Sequence, residues 1–327
     1  MLPLLDVRHL EVAFFTKDGV VKAVNGISYT LDYGDTLALV GESGCGKTVS
    51  VLAMLRLLPV PPAKIMGGQV LLEGHDLLRL KLDQMHTVRG SQIAIVFQDP
   101  MTSLNPVMPV GDQIAEAMQV NLRLGRKEAL EQTEVLLQRV GLPNAANQLK
   151  SYPHQFSGGM RQRVMIAMAI SCKPKLLIAD ESTTALDVTI QAQIVDLVKE
   201  LQQELGMTMI WITHNLGLVA RLAKRVIVMY AGYIIEMGLT KQIFANPIHP
   251  YTIGLLNSVP GIELTVDQDL QYIEGAPPDM IKLPPGCPFS PRCLYRSERC
   301  LTERPELVEL TTSVAAACWN IDRVHNR

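Results

Sequence analysis

The feature that most constrains the fold of this sequence is a glycine-rich loop between a strand pattern and a helix pattern. The loop Gly41-Glu-Ser-Gly-Cys-Gly-Lys-Thr48 follows the apolar run Thr36–Val40 and precedes apolar residues at helical spacing. This order of strand, loop and helix is the context of a P-loop, in which backbone N–H groups converge on phosphate oxygens at a helix N-terminus. The sequence therefore predicts an α/β fold with a nucleotide phosphate site.

Residues of this loop have distinct expected tasks. Lys47 would bring positive charge to the β- and γ-phosphates of ATP, and the Thr48 hydroxyl would be a ligand of Mg²⁺. Cys45 occupies a permissive position, and we interpret it as a small filler rather than a nucleophile. A chance glycine-rich turn is the alternative, which the flanking strand and helix patterns disfavour. The predicted phosphate-site residues are Gly41, Ser43, Gly44, Cys45, Gly46, Lys47 and Thr48.

Short apolar runs rich in β-branched residues recur along the chain and mostly alternate with helical patterns. This alternation predicts a largely parallel sheet covered by helices. The first 35 residues and the stretch around Gly68 to Leu72 instead predict antiparallel strands, with a hairpin turn at Asp18-Gly19. The predicted strands of the parallel sheet are Thr36–Val40, Ile93–Phe97, Leu176–Ala179, Met209–Ile212 and Val226–Met229.

The pattern changes twice along the chain. Residues 105–151 have helical periodicity, which predicts a helical insert, and we place the helical subdomain at about residues 101–160. From about Asn246 onward proline and glycine become frequent, so we expect regular structure to thin out. We therefore predict one main domain over residues 1–245 and an irregular appendage over residues 246–327.

Composition and charge exclude several classes of protein. The net charge is −2 with scattered basic residues, so no electrostatic footprint for nucleic acid is present. The longest apolar stretches, such as Val164–Cys172, fall well short of the ~20 residues that span a bilayer. The N-terminus carries Asp6 and Arg8 and lacks the apolar region of a secretory signal. We expect a cytosolic chain without a nucleic-acid partner.

Two adjacent carboxylates, Asp180 and Glu181, end a predicted apolar strand. In open parallel sheets the carboxyl ends of the strands border the ligand site, so both should lie beside the P-loop. Asp180 suits the metal side of the nucleotide, directly or through water. Glu181 would polarise or deprotonate the attacking water, and a solvated turn acid is the alternative for this residue.

A second glycine-rich segment, Phe156-Ser-Gly-Gly-Met160, precedes another helical run. Backbone and hydroxyl donors at such a helix N-terminus can approach a γ-phosphate closely, and a simple helix cap is the alternative. Gln98 follows one predicted strand and His214 follows another. With its motifs in this order, the sequence resembles the ATPases of ABC transporters over about residues 4–245, and the second segment is close to their LSGGQ signature.

This resemblance implies a role for each matching residue. Gln98 would be the Q-loop residue near the metal and the lytic water, and His214 the switch histidine that contacts the γ-phosphate. Asp187 would belong to a D-loop that crosses to the opposite subunit. Phe14, or alternatively Phe15, would stack on adenine. The implied catalytic residues are Lys47, Gln98, Glu181 and His214, with Thr48, Gln98 and Asp180 at Mg²⁺.

Each complete site would need two chains, with ATP held between the P-loop of one and the segment Ser157, Gly158 and Gly159 of the other. One departure from the family pattern is Ser182, which stands where proline is usual after the glutamate. We expect the chemistry to survive this difference because both carboxylates are present.

Four further segments resemble the oligopeptide and dipeptide branch of bacterial importers: residues 98–106, 152–157, 249–252 and 286–293. In that branch such a subunit works beside a second, related ATPase, two permease chains and an external binding protein. The resemblance implies a peripheral location at the cytoplasmic face of the membrane. It leaves the substrate open, because the branch also includes nickel and glutathione importers.

Other functions remain as alternatives. A soluble ABC machine of translation or DNA repair is disfavoured, because the chain has one ATPase half and an insert of ordinary size. A regulatory protein without hydrolysis is disfavoured by the presence of Lys47, Asp180, Glu181 and His214. A G-protein is disfavoured because no Asn-Lys-x-Asp guanine motif follows the P-loop.

Four of the six cysteines lie in the last 41 residues, at positions 287, 293, 300 and 318. In a cytosolic chain such a group more often marks a metal site than disulfides. Zinc usually takes paired C-x₂₋₄-C knuckles, which this spacing lacks. The importer resemblance implies a structural [4Fe–4S] cluster, and zinc, free thiols or an aerobically formed disulfide are the alternatives. The implied cluster ligands are Cys287, Cys293, Cys300 and Cys318.

Overall fold

The computed structural model describes residues 2–180, 188–258 and 273–325, which form two compact units. In the described part of the chain, the first unit comprises residues 2–31, 36–78, 212–258 and 273–325, and the second comprises residues 32–35, 79–180 and 188–211. Within these ranges no helix combines the length and the apolar character needed to cross a membrane.

The strands, in chain order, are β1 (Leu5–Thr16), β2 (Gly19–Leu31), β3 (Thr36–Val40), β4 (Ala63–Leu72), β5 (His75–Asp76), β6 (Ile93–Val96), β7 (Leu176–Asp180), β8 (Thr208–Ile212), β9 (Arg225–Tyr230), β10 (Tyr233–Leu239), β11 (Val308–Thr311) and β12 (Val314–Ala316). The α-helices are α1 (Lys47–Met54), α2 (Leu82–Ser91), α3 (Pro100–Ser103), α4 (Val110–Leu122), α5 (Arg126–Arg139), α6 (Ala145–Gln148), α7 (Gly158–Ile170), α8 (Val188–Leu205), α9 (Leu216–Leu222), α10 (Thr240–Ala245), α11 (Pro250–Asn257), α12 (Glu298–Thr302) and α13 (Ile321–His325).

An antiparallel sheet opens the first unit, with strand order β2-β1-β4-β5. The hairpin of β1 and β2 turns at Lys17 and Asp18 and pairs Thr16 with Gly19. On its other side β1 pairs antiparallel with β4. The antiparallel strands and the hairpin predicted for this region are therefore confirmed, with the turn one residue earlier than the predicted Asp18-Gly19.

The strand that leads to the P-loop lies in a second group of strands of the first unit, in the order β11-β12-β10-β9-β3. β3 and β9 run parallel, with Leu39 opposite Ile227. β12 pairs antiparallel with β10, with Ala316 opposite Glu236. The C-terminal segment thus returns to the sheet that carries the P-loop. The sequence, in which we expected little regular structure after residue 246, gave no signal for β11 and β12.

In the second unit, β8, β7 and β6 lie side by side, and β6 and β7 are parallel with Val96 opposite Ala179. All residues of β7 and β8 are buried, as expected for strands covered on both faces. Between residues 105 and 151 the chain forms α4, α5 and α6, which confirms the predicted helical insert. In α5 the buried residues Ala129, Thr133 and Leu137 recur at intervals of four and form one buried face.

Candidate functional site

The P-loop has the strand–loop–helix geometry that the sequence predicts. β3 ends at Val40 and α1 begins at Lys47. Gly41 has φ +148°, and a Cβ there would lie 2.3 Å from the carbonyl oxygen of Met229. Gly46 has φ +101°, and a Cβ there would lie 2.3 Å from the carbonyl oxygen of Ala23. Both positions therefore exclude a side chain, because the loop curls directly against neighbouring backbone.

The Lys47 ammonium lies inside this curl, and the residue is only 5% exposed. It donates hydrogen bonds to the carbonyl oxygens of Gly41 at 2.8 Å and Glu42 at 3.0 Å. The thiol of Cys45 is buried nearby, and burial raises its pKa, with the Lys47 charge opposing this effect. A raised pKa disfavours the reactive thiolate form of this residue.

Sequence reasoning missed the contacts of Glu42, the second residue of the loop. The Glu42 carboxylate accepts two hydrogen bonds from the Arg292 guanidinium, at 2.8 Å and 3.0 Å. Hydrogen bonding to this carboxylate raises the pKa of Arg292 further above its usual range. The Glu42 backbone N–H donates to the Tyr251 hydroxyl at 2.8 Å. Residues of the C-terminal segment therefore hold the P-loop from outside.

His214 follows β8 and is exposed in the same unit as the P-loop. The backbone N–H of its neighbour Thr213 donates to the carbonyl oxygen of Leu39 on β3 at 3.2 Å. On the other side Asn215 caps α9, because its side chain accepts the backbone N–H of Leu218 at 3.3 Å. These bonds fix the backbone on both sides of His214, next to the strand that leads into the P-loop.

Gln98 and Asp180 belong to the second unit and lie at the carboxyl ends of two neighbouring parallel strands. Asp180 is the last residue of β7 and is only 5% exposed, whereas Gln98 lies just beyond β6 and is exposed. Because the strands are parallel and adjacent, both side chains lie at the same edge of this sheet. Carboxylate and amide oxygens are ligands that Mg²⁺ accepts.

The segment Ser157 to Gly159 forms the N-terminus of α7 in the second unit. Ser157 is the N-cap residue, and its hydroxyl accepts the backbone N–H of Met160 at 3.3 Å. A Cβ at Gly159 would lie 2.8 Å from the side chain of Ile190, so close packing favours glycine there. The exposed end of a 13-residue helix presents N–H groups and a hydroxyl that suit an anion.

Four of the sequence predictions concern Glu181, Ser182, Asp187 and the aromatic residue expected to stack on adenine. Glu181, Ser182 and Asp187 lie outside the described residues. Phe14 and Phe15 lie on β1, where Phe14 is half-buried and Phe15 is 48% exposed. The predicted roles of all these residues stay predictions.

Four cysteines of the C-terminal segment line one cavity. Burial raises the pKa of Cys287 to about 12 and that of Cys293 to about 11, and it also raises the pKa of Cys318. All four are free thiols. In the part of the chain that the structure describes, no group of three or more His, Cys, Asp or Glu side chains could hold a metal ion. The cysteines therefore share a cavity without converging on one point. The cavity is also lined by His249, Pro250, Phe289, Ser290, Tyr295, Pro305, Trp319 and Asn320.

Comparison with known proteins gives consistent matches. The family model described as ABC transporter matches residues 24–184, and the one described as oligopeptide/dipeptide transporter, C-terminal region, matches residues 235–300. The dipeptide transport ATP-binding protein DppD of Bacillus subtilis is 49% identical, covering 99% of this chain and 96% of that relative. The oligopeptide transport ATP-binding protein OppD of Salmonella typhimurium is 47% identical, covering 97% and 93%.

Solved structures agree with this fold. The structure of cbiO1 from Clostridium perfringens, described as part of the ABC transporter complex cbiONQ, has a TM-score of 0.64 and 30% sequence identity. The match covers 75% of this chain and 91% of that one. The ATP-binding cassette MJ0796 bound to ADP and Pi has a TM-score of 0.65 at 23% identity, covering 72% and 98%.

Proposed function

The chain belongs to the ABC transporter family of ATP-binding subunits, in the branch with the oligopeptide/dipeptide C-terminal region, and we propose that it is the ATP-hydrolysing motor of a peptide importer. Near-full-length similarity to DppD and OppD, both described as ATP-binding proteins of peptide transport, carries this proposal. The P-loop geometry supports the binding of ATP in this proposal, because a buried ammonium and a curled glycine backbone suit a polyphosphate.

Residues of this chain would share the work of hydrolysis. Lys47 and the N–H groups at the start of α1 would bind the β- and γ-phosphates. Thr48, Gln98 and Asp180 would hold Mg²⁺, which when bound neutralises charge that develops on the phosphate oxygens. Glu181 would orient the attacking water and take its proton, and His214 would donate a hydrogen bond to the γ-phosphate.

Two chains would complete each site in this proposal. ATP on one P-loop would receive hydrogen bonds from Ser157 and the glycine N–H groups of an opposing chain. The exposed hydroxyl and helix N-terminus at Ser157 support this arrangement, because they present donors outward. Closure of the two chains over ATP would then supply the movement that is passed to a permease.

The partners follow from the same proposal. The chain would lie at the cytoplasmic face of the membrane beside a second, related ATPase and two permease chains. An extracytoplasmic binding protein would deliver the substrate. In the ATPase chain itself, the predicted domain of residues 1–245 would hydrolyse ATP, and residues 246–327 would form a branch-specific appendage.

Reconstitution tests this function. The full chain would be co-expressed with the products of its neighbouring genes, purified from detergent-solubilised membranes and placed in liposomes. We expect permease chains to co-purify, and peptide with the binding protein to accelerate ATP hydrolysis. If Ni²⁺ or glutathione accelerates ATP hydrolysis and peptide does not, the transported substrate is nickel or glutathione and not a peptide. Purification free of any membrane protein would favour the soluble ABC machine instead.

For the four C-terminal cysteines we propose a [4Fe–4S] cluster. Each iron of such a cluster takes one thiolate, so the four sulfurs surround a cube instead of meeting at one ion. The four thiols that line one cavity, together with the resemblance to the importer branch, support this proposal. The proposed role is structural, because ATP-driven transport contains no redox step.

Purification without oxygen tests the cluster. The full chain should be brown, absorb broadly near ~400 nm and contain about four irons per chain. Replacement of Cys287 by Ser should remove most of the colour, whereas replacement of Cys172, which lies far along the chain in another unit, should retain it. Colourless protein with stoichiometric zinc would show that the cysteines bind zinc instead of a cluster. Metal-free protein would exclude both the cluster and zinc.

A further inference from the structure

The P-loop carries a negative charge at a place where it is built to bind anions. Glu42 lies between Gly41 and Ser43, and its side chain is 26% exposed. A carboxylate this close in sequence to phosphate-binding N–H groups opposes the approach of a polyphosphate, because like charges repel more strongly where water is partly excluded. Tight nucleotide binding therefore requires that a positive charge neutralise the Glu42 carboxylate and hold it away from the phosphate site.

Arg292 supplies this compensation from the C-terminal segment. Its side chain is 5% exposed, and its guanidinium faces the Glu42 carboxylate with two parallel hydrogen bonds, at 2.8 Å and 3.0 Å. The same guanidinium donates to the Tyr230 hydroxyl at 3.3 Å and to the carbonyl oxygens of Ile273 at 3.2 Å and Glu274 at 2.9 Å. These additional bonds leave the guanidinium little freedom, so the carboxylate is held in one direction.

A second contact fixes the backbone of the same residue. The Glu42 N–H donates to the hydroxyl of Tyr251, a residue with no exposed surface. The Tyr251 ring packs against Tyr230, at a centroid distance of 4.6 Å, and against Phe289, at 5.5 Å. The position of the loop backbone therefore depends on an aromatic cluster to which the C-terminal segment contributes Phe289.

We infer that Arg292 is a positioning residue of the nucleotide site: by holding and neutralising Glu42, it sets the affinity of the P-loop for ATP. Arg292 acts through Glu42, because the hydrogen bonds of its guanidinium go to that carboxylate and to neighbouring groups of the protein. The C-terminal segment is thus a part of the nucleotide site in this chain, in addition to any contact that it makes with other subunits. Tyr251 has a supporting task, because it fixes the loop backbone while Arg292 fixes the charge.

A double-mutant cycle on the full chain tests this inference, with Mg-ATP affinity and the KM and kcat of ATP hydrolysis as measurements. Arg292→Met leaves an uncompensated carboxylate beside the loop, so we expect Kd and KM to rise about tenfold with kcat changed less than about twofold. Glu42→Gln removes the repelling charge itself, so Kd and KM should change by less than about threefold. The double variant should then match Glu42→Gln and not Arg292→Met, because no carboxylate is left to compensate.

Two further variants separate positioning from general stability. Arg292→Lys keeps the charge but not the two-pronged geometry, and it should raise KM to a value between wild type and Arg292→Met. Arg299→Met removes an exposed ion pair of the same segment, with Glu303 at 2.8 Å, and should leave KM unchanged.

Several outcomes would overturn the inference. One is an ATP affinity in Arg292→Met that equals wild type, and another is a double variant as weak as Arg292→Met alone. Loss of kcat and of thermal stability without a change in KM would assign Arg292 a purely structural role. Should Arg292→Met fail to fold, Arg292→Lys decides the question, since an unchanged KM in that variant counts against positioning.

Discussion

The backbone N–H of His249 donates to the buried carboxylate of Glu236 at 2.9 Å, and that of Ile248 donates to the other carboxylate oxygen at 2.8 Å. Glu236 lies on β10 and has no exposed surface. His249 is the N-cap residue of α11, and burial lowers its pKa to about 3, so its neutral Nδ1 accepts the Tyr251 N–H at 3.1 Å. One carboxylate on the sheet thereby orients the helix whose Tyr251 holds the P-loop.

Glu236→Gln should destabilise the chain. An amide can accept one of the two N–H groups only, so one buried donor loses its partner, at a cost of about 1–3 kcal/mol in the free energy of unfolding. Chemical denaturation measures this difference. Glu309→Gln on β11 is the control, because Glu309 is exposed and its replacement should cost much less.

The difference in the free energy of unfolding between wild type and Glu236→Gln should depend on pH. Burial raises the pKa of Glu236 above the 4.5 of an exposed glutamate, so between these two pKa values the native state keeps a proton that the unfolded chain releases. The stabilising contribution of this pKa shift is complete below the pKa of Glu236 in the unfolded chain, and it is lost as the pH rises through the native pKa. The stability difference between wild type and Glu236→Gln should therefore narrow with rising pH. A difference that widens would contradict the raised pKa.

Lys47→Ala should weaken ATP binding strongly, because it removes the charge that faces the β- and γ-phosphates. Titration with a fluorescent ATP analogue and a steady-state ATPase assay measure the effect. Lys64→Ala, at an exposed site of β4, is the matched control and should bind ATP like wild type. Near-normal ATPase activity in Lys47→Ala would contradict the assignment of the loop as the nucleotide site.

Glu181→Gln should retain ATP binding and lose hydrolysis, because the amide keeps the shape of the side chain but cannot take a proton. The expected product is a stable ATP-bound dimer. Size-exclusion chromatography with Mg-ATP detects it, and wild-type protein under the same conditions is the reference. A variant that dimerises no more than wild type does would show that Glu181 is not the general base.

Ser157→Arg should block hydrolysis while it spares nucleotide binding to the P-loop of the same chain. Bulk and charge at the N-terminus of α7 would obstruct a partner's γ-phosphate, whereas Lys47 in the first unit is untouched. Separate measurements of ATP affinity at low protein concentration and of ATPase activity at high concentration distinguish the two effects. Equal loss of both would contradict a shared site between two chains.

Much of the nucleotide site follows from local sequence. The pattern from Thr36 to Thr48 predicts a strand, a curled loop and a helix start, and the structure has all three. The strands before Gln98 and Asp180 are also predicted by their apolar, β-branched residues. Their adjacency and register, with Val96 opposite Ala179, are not, because strand periodicity alone contains no information on which strands pair.

The sequence by itself determined the P-loop, the main strands and helices, and the family to which they belong, since these depend on residue type and spacing within short segments. Only the tertiary structure decided that Arg292 clamps Glu42, that Tyr251 holds the loop backbone, and that β12 joins β10. Glu42 and Arg292 are 250 positions apart, and no periodicity links them. Such contacts arise because folding the whole chain buries an arginine beside a carboxylate that accepts two of its hydrogen bonds, and burial makes the unpaired alternative costly.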